Sequence, residues 1–156
     1  KDRKALLFAL NNDQIDMVVT DHAPHLRQEK EGDYLSAISG APMIQHSLQV
    51  MLELFLKGEI ALEKLVTKLS HNPALLYGIE SRGFLREGFY ADIVCVDLNK
   101  SYQVQASNLA SQCRWSPLEG QEFQSSVIHT LVNGSWSLKD QLIQKERTVH
   151  PLLRKN

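Results

Sequence analysis

The spacing of apolar residues divides the chain near Ser81 into a part with helical period and a part with strand period. Leu6, Leu7 and Leu10 fall on one side of a helix predicted over Lys1 to Leu10. Ile15 to Thr20 is a short run containing Ile, Met and two Val, the pattern of a strand buried on both faces as in a parallel sheet. Asp21 to Gly40 is a long polar loop, and a connection of that length is more often functional than idle. Pro42 suits the first position of a helix in which Ile44, Leu48, Leu52 and Phe55 recur until Gly58 closes it. Leu62, Leu65, Val66 and Leu69 repeat the helical spacing, and Asn72 as N-cap, Pro73 at N1 and Gly78 past the end spell a third, short helix.

Beyond Arg82 the period becomes that of strands. Ala91 to Asp97 is an apolar strand following a Glu87-Gly88 turn. Val127 to Val132, Asn133-Gly134 and Ser135 to Leu138 predict a β-hairpin, because Asn-Gly readily takes the positive φ angles of a type I′ turn. The expected organisation is a βα-type part over 1–80, a β-rich subdomain over 81–148 and a basic, poorly anchored tail over 149–156.

Length and composition narrow the class. The chain has 156 residues, 43% of them hydrophobic, which is enough for one domain with a core and excludes a disordered segment. Seventeen Lys and Arg against eighteen Asp and Glu leave no basic footprint for nucleic acid or an anionic membrane. No apolar run approaches the length of a membrane span, since Val50 to Leu56 is interrupted by Glu53. Lys1 to Leu10 loosely imitates a signal peptide, but Asn11-Asn12-Asp13 stands where small cleavage-site residues belong. The chain opens on Lys1 instead of Met, which suggests an internal piece. Cys95 and Cys113 lack CxxC spacing and read as reduced, structural thiols of a cytoplasmic protein.

Candidate chemistry concentrates in Asp21-His22-Ala23-Pro24-His25, directly after the apolar run. Carboxylates at strand ends are where α/β enzymes place catalytic groups, because strand ends are rigid and open into the site. Asp21 could serve as metal ligand, general base or both, and His25 could bind an anion or a metal. His22 suits a hydrogen-bonding role that supports the loop, and the charges of Arg27 to Glu31 read as a solvated face. His46 reads as a packed or exposed histidine of the helix predicted from Pro42, His71 as a local structural one, and His129 as a strand residue without chemistry. Trp115 and Trp136 read as packing anchors.

The segment Asp21 to His25, followed by Glu29-Lys30, resembles a motif of dihydroorotases in the amidohydrolase superfamily. Ser39-Gly40-Ala41-Pro42 is similar to the substrate loop of that family, and His71-Asn72-Pro73-Ala74 to its post-barrel helix. Ala91-Asp92-Ile93-Val94, Trp115 to Gly120 and Val132-Asn133-Gly134 resemble its C-terminal β region, though some of these are shared with hydantoinases and allantoinases.

The resemblance implies an α/β fold: the last strand and following helices of a TIM-like (β/α)₈ barrel, then an antiparallel β region. It implies a zinc-dependent cyclic amide hydrolase of pyrimidine biosynthesis, interconverting (S)-dihydroorotate and N-carbamoyl-L-aspartate. Asp21 matches a zinc ligand that is also the proton shuttle, and His25 matches a residue binding the substrate carboxylate. Ser39 and Gly40 match positions whose backbone meets the ring. A barrel takes about 250 residues, and the other ligands of a two-zinc site match nothing in this chain, so the isolated chain is expected to be inactive. A homo-oligomer is expected, with aspartate transcarbamoylase as a further partner to consider. A hydantoinase or allantoinase, and a non-catalytic dihydroorotase-like scaffold, are the rival readings.

Overall fold

The computed structural model describes residues 1–144 and 152–153. Helix α1, Asp2–Asn11, presents Leu10 to the core. The chain then reverses at Asp13, which has a positive φ of 58°. The Asp13 carboxylate is shared by two lysines, with Lys64 Nζ at 2.7 Å and Lys68 Nζ at 2.9 Å.

The stretch Ile15 to Thr20, predicted as a doubly buried strand, joins no ladder among the described residues, and Val19 is 64% exposed. A strand is held by its neighbours, and here the backbone bonds run to a helix instead. The Val18 N–H donates to the Lys68 carbonyl at 3.1 Å, and the Asn72 amide donates to the Asp16 carbonyl at 2.6 Å. The fully buried Lys68 ammonium donates to the Ile15 carbonyl.

Helix α2, Ser47–Leu56, starts later than Pro42 predicted. Ala41 is drawn into a parallel bridge with His22, and Gln45 is held by the Asn108 carbonyl at 2.7 Å and the Ala110 N–H at 2.8 Å. Long-range bonds therefore occupy the segment that helical periodicity claimed, and Ile44 is exposed where the pattern placed it on the core face. At the other end Gly58 takes φ 68°, and the Glu59 N–H closes onto the Leu54 carbonyl at 2.8 Å.

Helix α3, Leu62–Val66, runs through a π turn, Thr67–His71, into α4, Asn72–Leu76. Asn72 is thus inside a continuous helix and caps nothing; its side chain serves Asp16. Pro73 has no N–H to return to the preceding turn, which suits a widened helix at this place. Gly78, at φ 61°, ends the helix as expected. Gly83 lies so close to α4 that a Cβ on it would sit 2.5 Å from the Ala74 Cβ. Beside it, the His71 ring lies flat on Phe84, centroids 4.3 Å apart.

The strands are β1 (Ile93–Asp97), β2 (Tyr102–Gln103), β3 (Glu122–Phe123), β4 (Ser126–Val132), β5 (Ser135–Lys139) and β6 (Leu142–Ile143). They form an antiparallel four-stranded sheet in the order β1-β4-β5-β6 and a two-stranded β2-β3 pair. The β4–β5 turn is the expected one, with Asn133 at φ 53° and Gly134 at φ 77°. The buried Arg82 guanidinium pairs with Asp92, donates to the Asn133 side chain at 2.6 Å and covers the Tyr90 ring.

The main core gathers Leu10, Met51, Leu52, Ile60 and Leu65, with Val96 and Leu98 packed against it from the β part. His46 and Phe123 are also buried, their rings stacked with centroids 6.2 Å apart, and Val104 is buried as well. The tail expected over 149–156 lies outside the described residues except for Leu152 and Leu153, and the Leu153 carbonyl accepts the Glu80 N–H at 2.9 Å. Among the described residues no helix is long and apolar enough to cross a membrane.

Candidate active site

Asp21 follows the Ile15 to Thr20 segment with φ 45°, a left-handed conformation that costs an L-residue energy and is concentrated at functional positions. Its side chain is exposed and, among the described residues, has no hydrogen-bond or ion-pair partner. A carboxylate in such a place is free to meet something outside the fold. His22 turns back into the protein, its Nδ1 accepting the Ile44 N–H at 3.3 Å, which is the supporting role its position suggested.

His25 is half-buried. Its N–H donates to the Ala23 carbonyl at 3.0 Å, and its own carbonyl accepts the Trp115 indole N–H at 2.7 Å. Its Nδ1 lies 3.8 Å from Glu29 Oε2, an oxygen that also accepts the Leu26 N–H at 2.6 Å. The backbone of His25 is therefore fixed on both sides, while its imidazole only approaches the Glu29 carboxylate.

The loop carrying Ser39 and Gly40 lies directly against this segment. The Ala23 N–H donates to the Ala41 carbonyl at 3.1 Å, and Gly40, at φ 101°, approaches so closely that a Cβ would lie 2.5 Å from the Ala23 Cβ. Only glycine permits both that φ and that contact. Ser39 and Gly40 are exposed.

Two residues of this region escaped the sequence reading. Lys30, placed on a solvated face by its charged surroundings, donates to the carbonyls of Ile38 and Gly40, the latter at 2.8 Å. Trp115 does more than pack, since its N–H reaches the backbone of His25. The resemblance had marked both segments, but no local pattern announces a contact across 90 residues. His46, for which the sequence left packing or exposure open, is fully buried against Tyr102 and Phe123.

A model of the amidohydrolase family matches residues 1–137. The chain belongs to the amidohydrolase family. Its curated relatives include a dihydroorotase of Halobacterium salinarum, 38% identical over 76% of this chain and 28% of that protein. A dihydroorotase of Clostridium acetobutylicum is 35% identical over 89% of this chain and 33% of its own length. The L-hydantoinase (dihydropyrimidinase) structure from Arthrobacter aurescens superposes with a TM-score of 0.84 at 32% identity, over 90% of this chain and 32% of that one. The amidohydrolase chain thus spans about a third of the length of the relatives it matches. Its mixed α/β build, helices followed by an antiparallel sheet, is that of a part of these barrel proteins.

Amidohydrolases are in general metal-dependent. Among the described residues, no three His, Cys, Asp or Glu side chains come together in a way that could hold an ion. A zinc ion in a catalytic site takes about three protein ligands, and among the described residues Asp21 belongs to no such set. The described residues do not fit a two-zinc centre by themselves.

Proposed function

We propose that this amidohydrolase chain forms part of a dihydroorotase, hydrolysing the ring amide of (S)-dihydroorotate and closing N-carbamoyl-L-aspartate in the reverse direction. The observation that carries this reading is the juxtaposition of exposed Asp21, half-buried His25 and the open Gly40 backbone, in a chain whose curated relatives bear that name. In hydrolysis a water oxygen bonds to the amide carbon and the carbon–nitrogen bond breaks. The Asp21 carboxylate takes the water proton and returns it to the departing ring nitrogen. His25 donates to the carboxylate of the substrate, and the backbone of Ser39 and Gly40 meets the ring. Zinc belongs to this reading as a cofactor of the whole protein, with Asp21 the ligand contributed by this chain, and the chain alone is inactive. Pyrimidine biosynthesis in the cytoplasm, and a homo-oligomer with aspartate transcarbamoylase as a candidate partner, complete the reading.

The L-hydantoinase likeness supports a second reading, a hydrolase of hydantoin-type rings. A ring lacking a carboxylate has no use for His25. Assay of the full-length protein against dihydroorotate, hydantoin and allantoin separates the two. Dihydroorotate should be the preferred substrate, and His25→Ala should raise its KM by roughly 10- to 100-fold, the worth of a hydrogen bond to a charged group. Preference for hydantoin together with an unchanged KM in His25→Ala would put the second reading in place of the first.

A further inference from the structure

We propose that Trp115 and Lys30 are positioning residues that fix His25 against the Ser39–Gly40 backbone and so set the affinity for a ring substrate bearing a carboxylate. The inference rests on the dihydroorotase-type reading of His25.

The His25 imidazole has no hydrogen-bond partner in the described residues, and its link to Glu29 is a 3.8 Å approach. Its placement therefore depends on its backbone. One side of that backbone is tied locally to Ala23, and the other accepts the Trp115 indole N–H at 2.7 Å. Trp115 comes from the β part, so this bond links the loop to a distant segment of the chain. The same indole lies under Lys30, whose Nζ is 5.9 Å from the ring centroid. Lys30 in turn donates to the two carbonyls flanking Ser39, those of Ile38 and Gly40. One continuous bridge thus runs from the His25 carbonyl through the indole and the ammonium to the Gly40 carbonyl. An exposed Arg27–Glu119 ion pair at 3.7 Å joins the same two segments but contributes little in water.

A histidine that must meet a carboxylate while the ring rests on Gly40 needs a fixed separation between the two, because binding energy is lost when a site must order itself around its ligand. The bridge supplies that separation from outside the contact surface. Loss of the bridge should weaken substrate binding and leave the proton transfers of Asp21 intact.

The test is steady-state kinetics on dihydroorotate in the full-length protein, with a double-mutant cycle. Trp115→Phe keeps a ring beneath Lys30 and removes the N–H. It should raise KM by roughly three- to tenfold, the worth of one ordinary hydrogen bond, with kcat within about twofold. In a His25→Ala background the same substitution should add less than about twofold, an outcome that a merely structural role would not produce. An unchanged KM, a fall in kcat at constant KM, or an equal KM rise in the His25→Ala background would overturn the inference. If Trp115→Phe does not fold, Lys30→Met decides: a raised KM with kcat retained supports the bridge, and an unchanged KM overturns it. His25→Ala with unchanged KM would instead remove the reading of His25 itself, and the inference with it.

Discussion

Two buried or paired ionisable residues give the fold separate responses to acid. His46 is 1% exposed, and neither ring nitrogen has a hydrogen-bond partner among the described residues. Burial lowers its pKa below the usual 6.5. The folded state then binds this proton less readily than the unfolded state, so its stability is complete above about pH 6.5 and declines as pH falls towards the folded pKa. Denaturant midpoints measured between about pH 7 and 5 should drop, and His46→Leu should flatten that slope. An equal slope in the variant would contradict the assignment. Asp13 acts lower. Hydrogen bonds from Lys64 and Lys68 pull its carboxyl from 3.8 to about 2. Its contribution is present above about pH 4 and is lost as pH falls towards 2, and Asp13→Asn should remove that second decline. The sequence left His46 either packed or exposed, and the structure buries it just ahead of α2. Its lack of partners was not legible, because that depends on Tyr102 and Phe123 from distant strands.

At the scale of elements, what is local was readable and what is shared was not. The Asn133-Gly134 hairpin was legible because two residues determine its turn. The strand expected over Ile15 to Thr20 was not realised, because a strand requires a neighbouring strand and its bonds among the described residues run to the π turn and the start of α4. Pro42 misled for a related reason, since the Ala41–His22 bridge is invisible in the sequence around it. The resemblance pointed to Asp21, His25, Ser39 and Gly40 as candidates in a short motif and a loop, but the bridge that lays these two segments side by side is not written in either. Lys30 was obscured by its charged neighbours, and Trp115 by its distance along the chain. The contact between α4 and the loop after it yields a further prediction. Gly83→Ala places a Cβ 2.5 Å from the Ala74 Cβ at a φ of 79°. The combined strain and overpacking should cost about 2–4 kcal/mol in urea unfolding. A cost below about 0.5 kcal/mol, the range of ordinary surface substitutions, would show that this approach is not tight in solution.

For the molecule as a whole, apolar surface is left uncovered at one end. Leu6, Phe8 and Val19 are exposed, and a cavity of about 460 Å³ is lined by Leu6, Leu7, Leu10, Ile15, Val18 and Leu54, with Arg3 as the charged member. Apolar surface of this kind, next to backbone that joins no ladder, invites association. The 156-residue chain on its own should sediment as a mixture whose average mass rises with concentration. A strict monomer over a wide concentration range would show that this surface is content in water.

In the proposed hydrolysis of a cyclic amide, the proton is carried by Asp21. The most direct test of this role is the kcat of Asp21→Asn on dihydroorotate in the full-length protein, with metal content checked against the parent. Asparagine keeps the shape and removes the basic oxygen, so kcat should fall by roughly 10²–10⁴. A near-parental kcat with full metal content would contradict that role for Asp21.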